Sequence, residues 1–264
     1  MFDYHIHTSF SDDARSTLDE VLATAMKKGL DGIAVTDHFD PFYYDDEYPW
    51  VLDLPAYEAA LAGAERTCAG KLSFAKGIEI GLIEGEGLAV CEETLSGFPF
   101  DFVIASVHHT ARAPIHTPEF LRGRTQQEIV EEYFTALLTC IRQYKNYDVL
   151  GHLNVIDRYM DSYAPAGLYM DTVREILLQA IGDGKGIELN VSTFRYGMAD
   201  HGTPTPAILA LYRELGGEIV TIGSDAHEAR YVGAFIKEGE DILRAHGFRY
   251  VTTYRNRAPS FHSL

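Results

Sequence analysis

Short apolar runs alternate with longer amphipathic stretches along almost the whole chain. Several of the runs are rich in Val and Ile, which is typical of strands buried on both faces of a parallel sheet. A further run at Arg249–Tyr254 predicts a strand near the carboxyl terminus. The other predicted strands are Asp3–Thr8, Gly32–Asp37, Leu72–Ile80, Phe102–Val107, Val149–Leu153, Ile187–Val191 and Glu218–Gly223.

The stretches between these runs carry the signals of helix ends. Glu128 follows Thr125 at the spacing of a capping box, and Pro55 suits the first turn of a helix. Gly29 follows the last periodic residue of another stretch, where a helix commonly stops. The predicted helices are Ser16–Lys28, Pro55–Cys68, Thr125–Tyr144, Met170–Gly182, Pro206–Leu215 and Gly233–His246.

This alternation predicts an α/β protein with a parallel sheet and right-handed crossovers. Seven strong strand–helix units favour a closed or nearly closed barrel over an open sheet. No linker rich in Pro, Gly or Ser divides the chain, so we expect one domain over residues 1–264. The longest irregular stretch, Phe39 to Asp53, is either a functional lid or a solvated insertion that packs a few aromatic side chains.

Composition narrows the possible partners. The 264 residues are 46% hydrophobic and 23% charged, an ordinary globular balance, and the net charge of −17 disfavours nucleic acid and anionic membranes. No apolar run reaches ~18 residues and no basic, apolar leader opens the chain, so we expect neither a membrane span nor a signal peptide. The three cysteines are far apart, which fits inert thiols in a reducing cytoplasm.

Histidines are unusually frequent, and most of them follow predicted strands. His5 and His7 alternate at the end of the first strand, so both imidazoles face the same side. In a parallel barrel the carboxyl ends of the strands meet at one face. Imidazole and carboxylate are ligands of zinc, iron and manganese, and the pattern therefore predicts a multinuclear metal site there. The other candidates at strand ends are His38, Glu79, His108, His152, Asp225 and His227.

The remaining histidines do not share this pattern. His109 alternates away from His108 and is expected to support the site or the fold. No role is predicted for His116, His246 and His262, and His201 is the one that could approach the site.

The motifs HxH, SxSDD, TDH, GIE, SVHH, GH and SDAH, in this order over residues 5 to 227, closely resemble the PHP (polymerase and histidinol phosphatase) family of metal-dependent phosphoesterases. The resemblance implies a distorted, TIM-like (β/α)7 barrel with three divalent ions, of zinc, iron or manganese. Asp13 is preferred over the adjacent Asp12 as one ligand. The implied first metal is held by His5, His7, Glu79 and Asp225, the second by Glu79, His108 and His152, and the third by Asp13, His38 and His227.

Two arginines make the chain most similar to the stand-alone histidinol phosphate phosphatases of that family. Arg158 and Arg195 follow the fifth and sixth strands, and similar arginines there grip the substrate phosphate. The resemblance implies hydrolysis of L-histidinol phosphate to L-histidinol and phosphate, in histidine biosynthesis, by hydroxide on the metals. Asp225 and His227 are the candidates to stabilise the leaving group.

The residues also suggest how the substrate's cationic end is held. The acidic segment Asp40–Glu47 would attract that end, and Tyr43, Tyr44 or Trp50 would form the pocket wall. The expected partner is thus a small phosphorylated molecule.

Three other functions fit parts of the pattern. A phosphoesterase of the same family would act on nucleotides, oligonucleotides or other small phosphate esters. A metal-dependent amide or ring hydrolase usually has a carboxylated lysine at a strand end, whereas Lys76 lies within its strand. A non-catalytic metal-binding protein would not need the two arginines.

Overall fold

The computed structural model describes residues 1–41 and 51–264. Among them, strands and helices alternate as the hydrophobic pattern predicts. The parallel strands are β1 (Phe2–Asp3), β2 (Gly32–Val35), β3 (His38–Phe39), β4 (Ser73–Gly81), β5 (Phe102–Ser106), β6 (Val149–Leu150), β7 (Gly186–Asn190) and β8 (Val220–Gly223). Two more strands, β9 (Tyr250–Arg255) and β10 (Ala258–Ser263), follow near the carboxyl terminus.

The parallel strands form one sheet that is nearly closed into a barrel. Its order is β1-β2-β4-β5-β6-β7-β8, and β3 extends the pairing along β4. The first and last strands then meet, because the Tyr4 N–H donates to the Ile222 carbonyl at 2.8 Å. Farther along, the His7 N–H donates to the Ala226 carbonyl at 2.9 Å. The predicted barrel is therefore confirmed, and it brings all the strand ends to one face.

Helices pack around this sheet. One of them begins with the capping box that the sequence predicts, formed by Thr125 with Glu128, and another begins with a capping box formed by Thr17 and Glu20. The helices are α1 (Leu18–Lys28), α2 (Leu54–Cys68), α3 (Glu86–Gly97), α4 (Pro118–Leu121), α5 (Gln126–Gln143), α6 (Met170–Gly182), α7 (Pro206–Glu214) and α8 (Ile236–Ala245).

Several elements depart from the predicted layout, including β3 and β10, which were not predicted. Helix α3 was not predicted, because it begins after Gly85 without a side-chain cap and contains glycine near its start. The short helix α4 was also not predicted. The strand predicted at Arg249–Tyr254 lies outside the barrel and pairs with β10 in an antiparallel hairpin. Asn256 and Arg257 form its turn with positive φ angles of 50° and 64°.

This hairpin covers the amino ends of the strands. Tyr254 stacks on Phe102 with ring centroids 5.1 Å apart, and Phe102 also meets the ring edge of Tyr4. The Arg257 Nε–H donates to the buried Asp148 carboxylate at 2.7 Å. With that end covered, the carboxyl ends of the strands are left to form a functional site.

Two smaller predictions can be compared with the structure. Burial raises the pKa of the Cys91 and Cys140 thiols to about 12, so these thiols are inert near neutral pH. Among the helices of residues 1–41 and 51–264, none combines the length and apolar character needed to cross a bilayer.

Candidate metal centre

Glu79 lies at the centre of the strand-end cluster and is fully buried. Its Oε2 atom lies 2.9 Å from His38 Nδ1 and 3.1 Å from His5 Nε2. Its Oε1 atom lies 2.9 Å from His152 Nε2 and accepts a hydrogen bond of 2.6 Å from the Ser106 hydroxyl. The two carboxylate oxygens thus face two different sets of imidazoles, the geometry of a bridging ligand.

Asp225 stands on the same side as the Oε2 atom of Glu79. Its Oδ1 atom is 3.5 Å from His7 Nε2, which is itself 3.5 Å from Glu79 Oε2. The same oxygen is 3.9 Å from His5 Nε2. Asp225 has a positive φ of 52°, a left-handed conformation at the end of β8 that is uncommon outside glycine.

His108 and His152 form the set on the other side of Glu79. Their Nε2 atoms are 3.4 Å apart, and His108 Nε2 is 3.5 Å from Glu79 Oε1. The outer nitrogen of His108, Nδ1, lies 2.9 Å from Asp40 Oδ1. A side chain at Gly81 would collide with that Asp40 carboxylate, so glycine is required beside it.

A third set lies toward solvent, around Asp13. Its Oδ2 atom is 3.0 Å from His227 Nε2, and its Oδ1 atom is 3.7 Å from His38 Nε2. Asp12 lines the adjoining cavity. Of the two adjacent carboxylates, Asp13 is the one placed between the two imidazoles.

The cluster brings buried carboxylates together with imidazoles, and each kind of group shifts the pKa of the other. Burial raises the pKa of Glu79, but the neighbouring imidazoles outweigh burial and hold that pKa well below its usual range. Burial likewise opposes the charged form of His5, yet the carboxylates of Glu188 and Glu79 raise its pKa well above the usual range. For His7, burial and the nearby His38 and His227 lower the pKa well below the usual range. Positive charge next to the Glu79 carboxylate therefore stabilises its ionised form.

Buried nitrogen atoms show that the residues fit bound metals. His7 Nε2 and His38 Nδ1 are buried and, among the described residues, have no partner with hydrogen-bond geometry, although both lie close to carboxylates. Such an arrangement is costly unless a metal takes the lone pairs. Within residues 1–41 and 51–264, three groups have ligand atoms close enough together to hold an ion, within 4.8 Å of one another: His5–His7–Asp225, His7–His38–His227 and His38–Glu79–His108.

A cavity of about 350 Å³ opens beside the cluster. Its far wall includes Ile115, His116, Val155 and Tyr159, and Arg158 also lines it. No role was predicted for His116, because its loop position resembles that of any exposed histidine. The tertiary structure alone brings it to the cavity.

The two predicted phosphate-binding arginines have different surroundings. Arg158 Nη2 donates to the Ser192 hydroxyl at 2.9 Å and lies 3.7 Å from Asp225 Oδ2, at the cavity wall. Arg195 donates to the backbone carbonyls of Ser224 and Asp225 at 2.6 and 2.8 Å. These bonds hold the left-handed backbone at Asp225, and a phosphate contact by Arg195 stays a prediction.

Other predicted residues are placed as follows. Asp40 contacts His108, whereas the rest of the predicted substrate segment, including Tyr43, Tyr44 and Trp50, lies outside the described residues. His201 lies 2.7 Å from the Asp157 carboxylate, in the loops after β6 and β7.

The strand-end pattern does not predict Glu188, a charged residue that contacts the cluster. Its carboxylate is fully buried and lies 2.7 Å from His5 Nδ1. The signal that could have revealed it is an acidic residue inside an otherwise apolar strand, in the sequence Gly186–Asn190.

A nearly closed parallel barrel with imidazoles and carboxylates gathered at the carboxyl ends of its strands defines the class of metal-dependent barrel hydrolases. The chain belongs to the PHP domain family, whose profile matches residues 3–192. The resemblance drawn from the strand-end motifs is thereby confirmed.

Relatives share nearly the full length of the chain. It is 27% identical to the histidinol-phosphatase of Lactococcus lactis over 257 residues, 96% of this chain and 93% of that protein. It is 28% identical to the probable histidinol-phosphatase of Thermotoga maritima, over 95% of this chain and 94% of that protein. The crystal structure of the L. lactis histidinol phosphate phosphatase, complexed with zinc, L-histidinol and phosphate, superimposes with a TM-score of 0.89 over 98% of both chains at 27% identity.

Proposed function

We propose that the chain is a metal-dependent phosphomonoester hydrolase that converts L-histidinol phosphate into L-histidinol and phosphate. One observation carries the proposal. The cluster centred on Glu79 adjoins a cavity lined by Arg158, in a chain that shares its fold and length with a protein holding zinc, L-histidinol and phosphate.

The metals are proposed to be three divalent ions of zinc, iron or manganese. The ligands would be those that the family resemblance implies, with Glu79 shared by two ions because its oxygens face different imidazoles. When bound, such ions lower the pKa of a coordinated water so that it is a nucleophile at neutral pH, and they neutralise charge on the phosphoryl oxygens. The protein's own contribution is to hold the ligands buried and to position the substrate between them and the cavity wall.

The phosphate is proposed to be drawn by local positive charge. The chain as a whole carries a net charge of −17, so its long-range field repels an anion. Arg158 lines the cavity, and its guanidinium matches two phosphate oxygens. Arg195 is proposed to assist, either by contact with the phosphate or by holding the backbone at Asp225. Together they would fix the phosphoryl group for in-line attack.

The leaving group is a primary alkoxide, which must be stabilised as the P–O bond breaks. Asp225 and His227 line the cavity and are both candidates to stabilise this leaving group. His227 Nδ1 lies 3.0 Å from the Asp225 carbonyl oxygen, so the two residues contact each other directly.

The organic part of the substrate is proposed to rest on the far wall of the cavity. The rings of His116 and Tyr159 lie there with centroids 6.1 Å apart, and Ile115 adds apolar surface. An imidazole ring is flat and has both apolar faces and polar edges, so it is complementary to such a wall.

The test is a panel of phosphate esters assayed on protein reconstituted with zinc, iron or manganese, together with elemental analysis of the purified protein. We expect the highest kcat/KM for L-histidinol phosphate, and no turnover after metal removal. AMP, short single-stranded DNA and a simple phosphodiester are the comparison substrates. A preference for the diester or for a nucleotide would overturn the proposed substrate.

A further inference from the structure

Glu188 contacts two predicted metal ligands, His5 and His152, which face different oxygens of Glu79. It lies on β7, is fully buried, and is not among the predicted ligands. Its Oε1 atom lies 2.7 Å from His5 Nδ1, while its Oε2 atom accepts the His152 backbone N–H at 2.7 Å. The Asn190 side-chain amide donates to the same carboxylate at 3.3 Å.

The contact with His5 determines which of its nitrogens carries the proton. A carboxylate accepts hydrogen bonds and donates none, and each His5 nitrogen faces one. In the neutral ring the proton belongs on Nδ1, which makes the shorter contact, and Nε2 keeps its lone pair. That Nε2 faces Glu79 Oε2 at 3.1 Å and Asp225 Oδ1 at 3.9 Å. Glu188 therefore holds His5 in the tautomer that can bind a metal.

The contact with His152 acts through the backbone. The His152 N–H lies two residues beyond the end of β6, and Glu188 Oε2 accepts its hydrogen bond. This bond sets the position of the residue whose Nε2 lies 2.9 Å from Glu79 Oε1. One carboxylate thus supports a side chain on each face of Glu79.

The Glu188 carboxylate is closely packed by its neighbours. A side chain at Gly223, on the neighbouring strand β8, would collide with the Glu188 carboxylate and with the β-carbon of His5. Burying a carboxylate is unfavourable unless its oxygens are hydrogen-bonded, and here both are. Strands β7 and β8 and the segment after β1 therefore pack closely around the single Glu188 carboxylate.

We propose that Glu188 is a positioning residue that assembles two metal subsites together, by fixing the tautomer of His5 and the backbone of His152. The proposal rests on the metal-dependent function proposed above. Removing such a supporting partner of metal ligands typically lowers metal affinity about 10–100-fold.

The test replaces Glu188→Gln, which keeps the size of the side chain. The amide has one acceptor oxygen, so it cannot satisfy both the His152 N–H and the His5 Nδ1–H. We expect zinc affinity, measured by competition with a chelator, to fall about 10–100-fold. We also expect long-range ¹H–¹⁵N spectra of the metal-free protein to show His5 shifted toward the Nε2–H tautomer, which a packing role alone would not change.

Asp101→Asn is the matched control. Asp101 is a buried carboxylate at the opposite end of the barrel, where it accepts the backbone N–H groups of Lys76 and Asn256 at 3.0 and 2.8 Å. Its variant should keep the zinc affinity and the His5 tautomer of the unsubstituted protein.

Two outcomes would overturn the proposal. One is a folded Glu188→Gln variant with unchanged zinc affinity and unchanged His5 tautomer. The other is a Glu188→Gln variant that fails to fold even with excess zinc while Asp101→Asn folds, because Glu188 would then be required for folding and not for metal binding. Failure of the unsubstituted protein to bind zinc, iron or manganese would overturn the proposed function itself, and the inference with it.

Discussion

Asp13 Oδ2 lies 3.0 Å from His227 Nε2, on the solvent side of the cluster. Its other oxygen faces His38 at 3.7 Å, so one carboxylate lies between two imidazoles from opposite ends of the chain. The neighbouring Asp12 lines the cavity and is exposed. Because only Asp13 lies between the two imidazoles, the two adjacent aspartates are expected to have different roles.

We predict that Asp13→Asn weakens metal retention and lowers turnover by about 10–100-fold, because the carboxylate that binds between His38 and His227 is lost. Asp12→Asn should stay within about threefold of the unsubstituted protein, since removing a solvated charge changes little. Elemental analysis and kcat for both variants check this. Equal losses in both, or a larger loss in Asp12→Asn, would contradict the placement of Asp13.

Arg158 offers a test of phosphate recognition. Arg158→Ala should lower kcat/KM by about 10–100-fold, as expected when a charge-assisted hydrogen bond of about 1.5–3 kcal/mol is lost. Competitive inhibition by inorganic phosphate should weaken in parallel, which steady-state kinetics will measure. Arg142→Ala is the control, because Arg142 forms an exposed ion pair with Glu175 on the helical layer. Unchanged phosphate inhibition in Arg158→Ala would exclude the contact.

His116 tests the proposed wall for the organic part of the substrate. His116→Ala should raise KM for L-histidinol phosphate about 2–10-fold, the loss of one aromatic contact, and leave KM for a simple aryl phosphate nearly unchanged. His246→Ala is the comparison, since His246 lies beyond the end of α8 and bonds to the Ile242 carbonyl. If both substrates respond equally to His116→Ala, this side chain does not discriminate between them.

Metal removal should destabilise the protein, because ligands that bind only the folded state stabilise it. At a free zinc concentration about 1,000 times Kd, one site adds about 4 kcal/mol. Thermal unfolding in zinc and in a chelator measures the difference. The shift should be smaller in Asp225→Asn, which lacks a carboxylate close to His5 and His7. Identical Tm values with and without zinc would argue against binding at this cluster.

The β9–β10 hairpin, at the end of the barrel away from the metal cluster, should contribute to stability and not to turnover. Arg257→Ala removes the partner of the buried Asp148 carboxylate, which we expect to cost about 2–3 kcal/mol of unfolding free energy. The kcat of the metal-loaded protein should stay unchanged at temperatures where it is folded. Denaturant unfolding gives the first value and steady-state assays the second. Arg244→Ala, on the outside of α8, is the control. A large fall in kcat would link the two ends of the barrel.

The barrel and its strand-end cluster could be predicted because both follow from local patterns. Val- and Ile-rich runs and the Thr125–Glu128 capping box are readable in single segments, and parallel strands bring their carboxyl ends together whatever the loops do. His5 and His7 share a side because strand residues alternate. The single-domain organisation and the three-ion stoichiometry stay predictions.

The sequence by itself determined which side chains reach the carboxyl face of the barrel, since strand order and alternation place them there. Only the tertiary structure decided how they are used. It turned Asp40 toward His108, brought His116 to the cavity, directed Arg195 to the backbone at Asp225 and set Glu188 behind His5. These relationships join residues distant in the chain, and their distances depend on how strands and loops pack. A local pattern carries no such information.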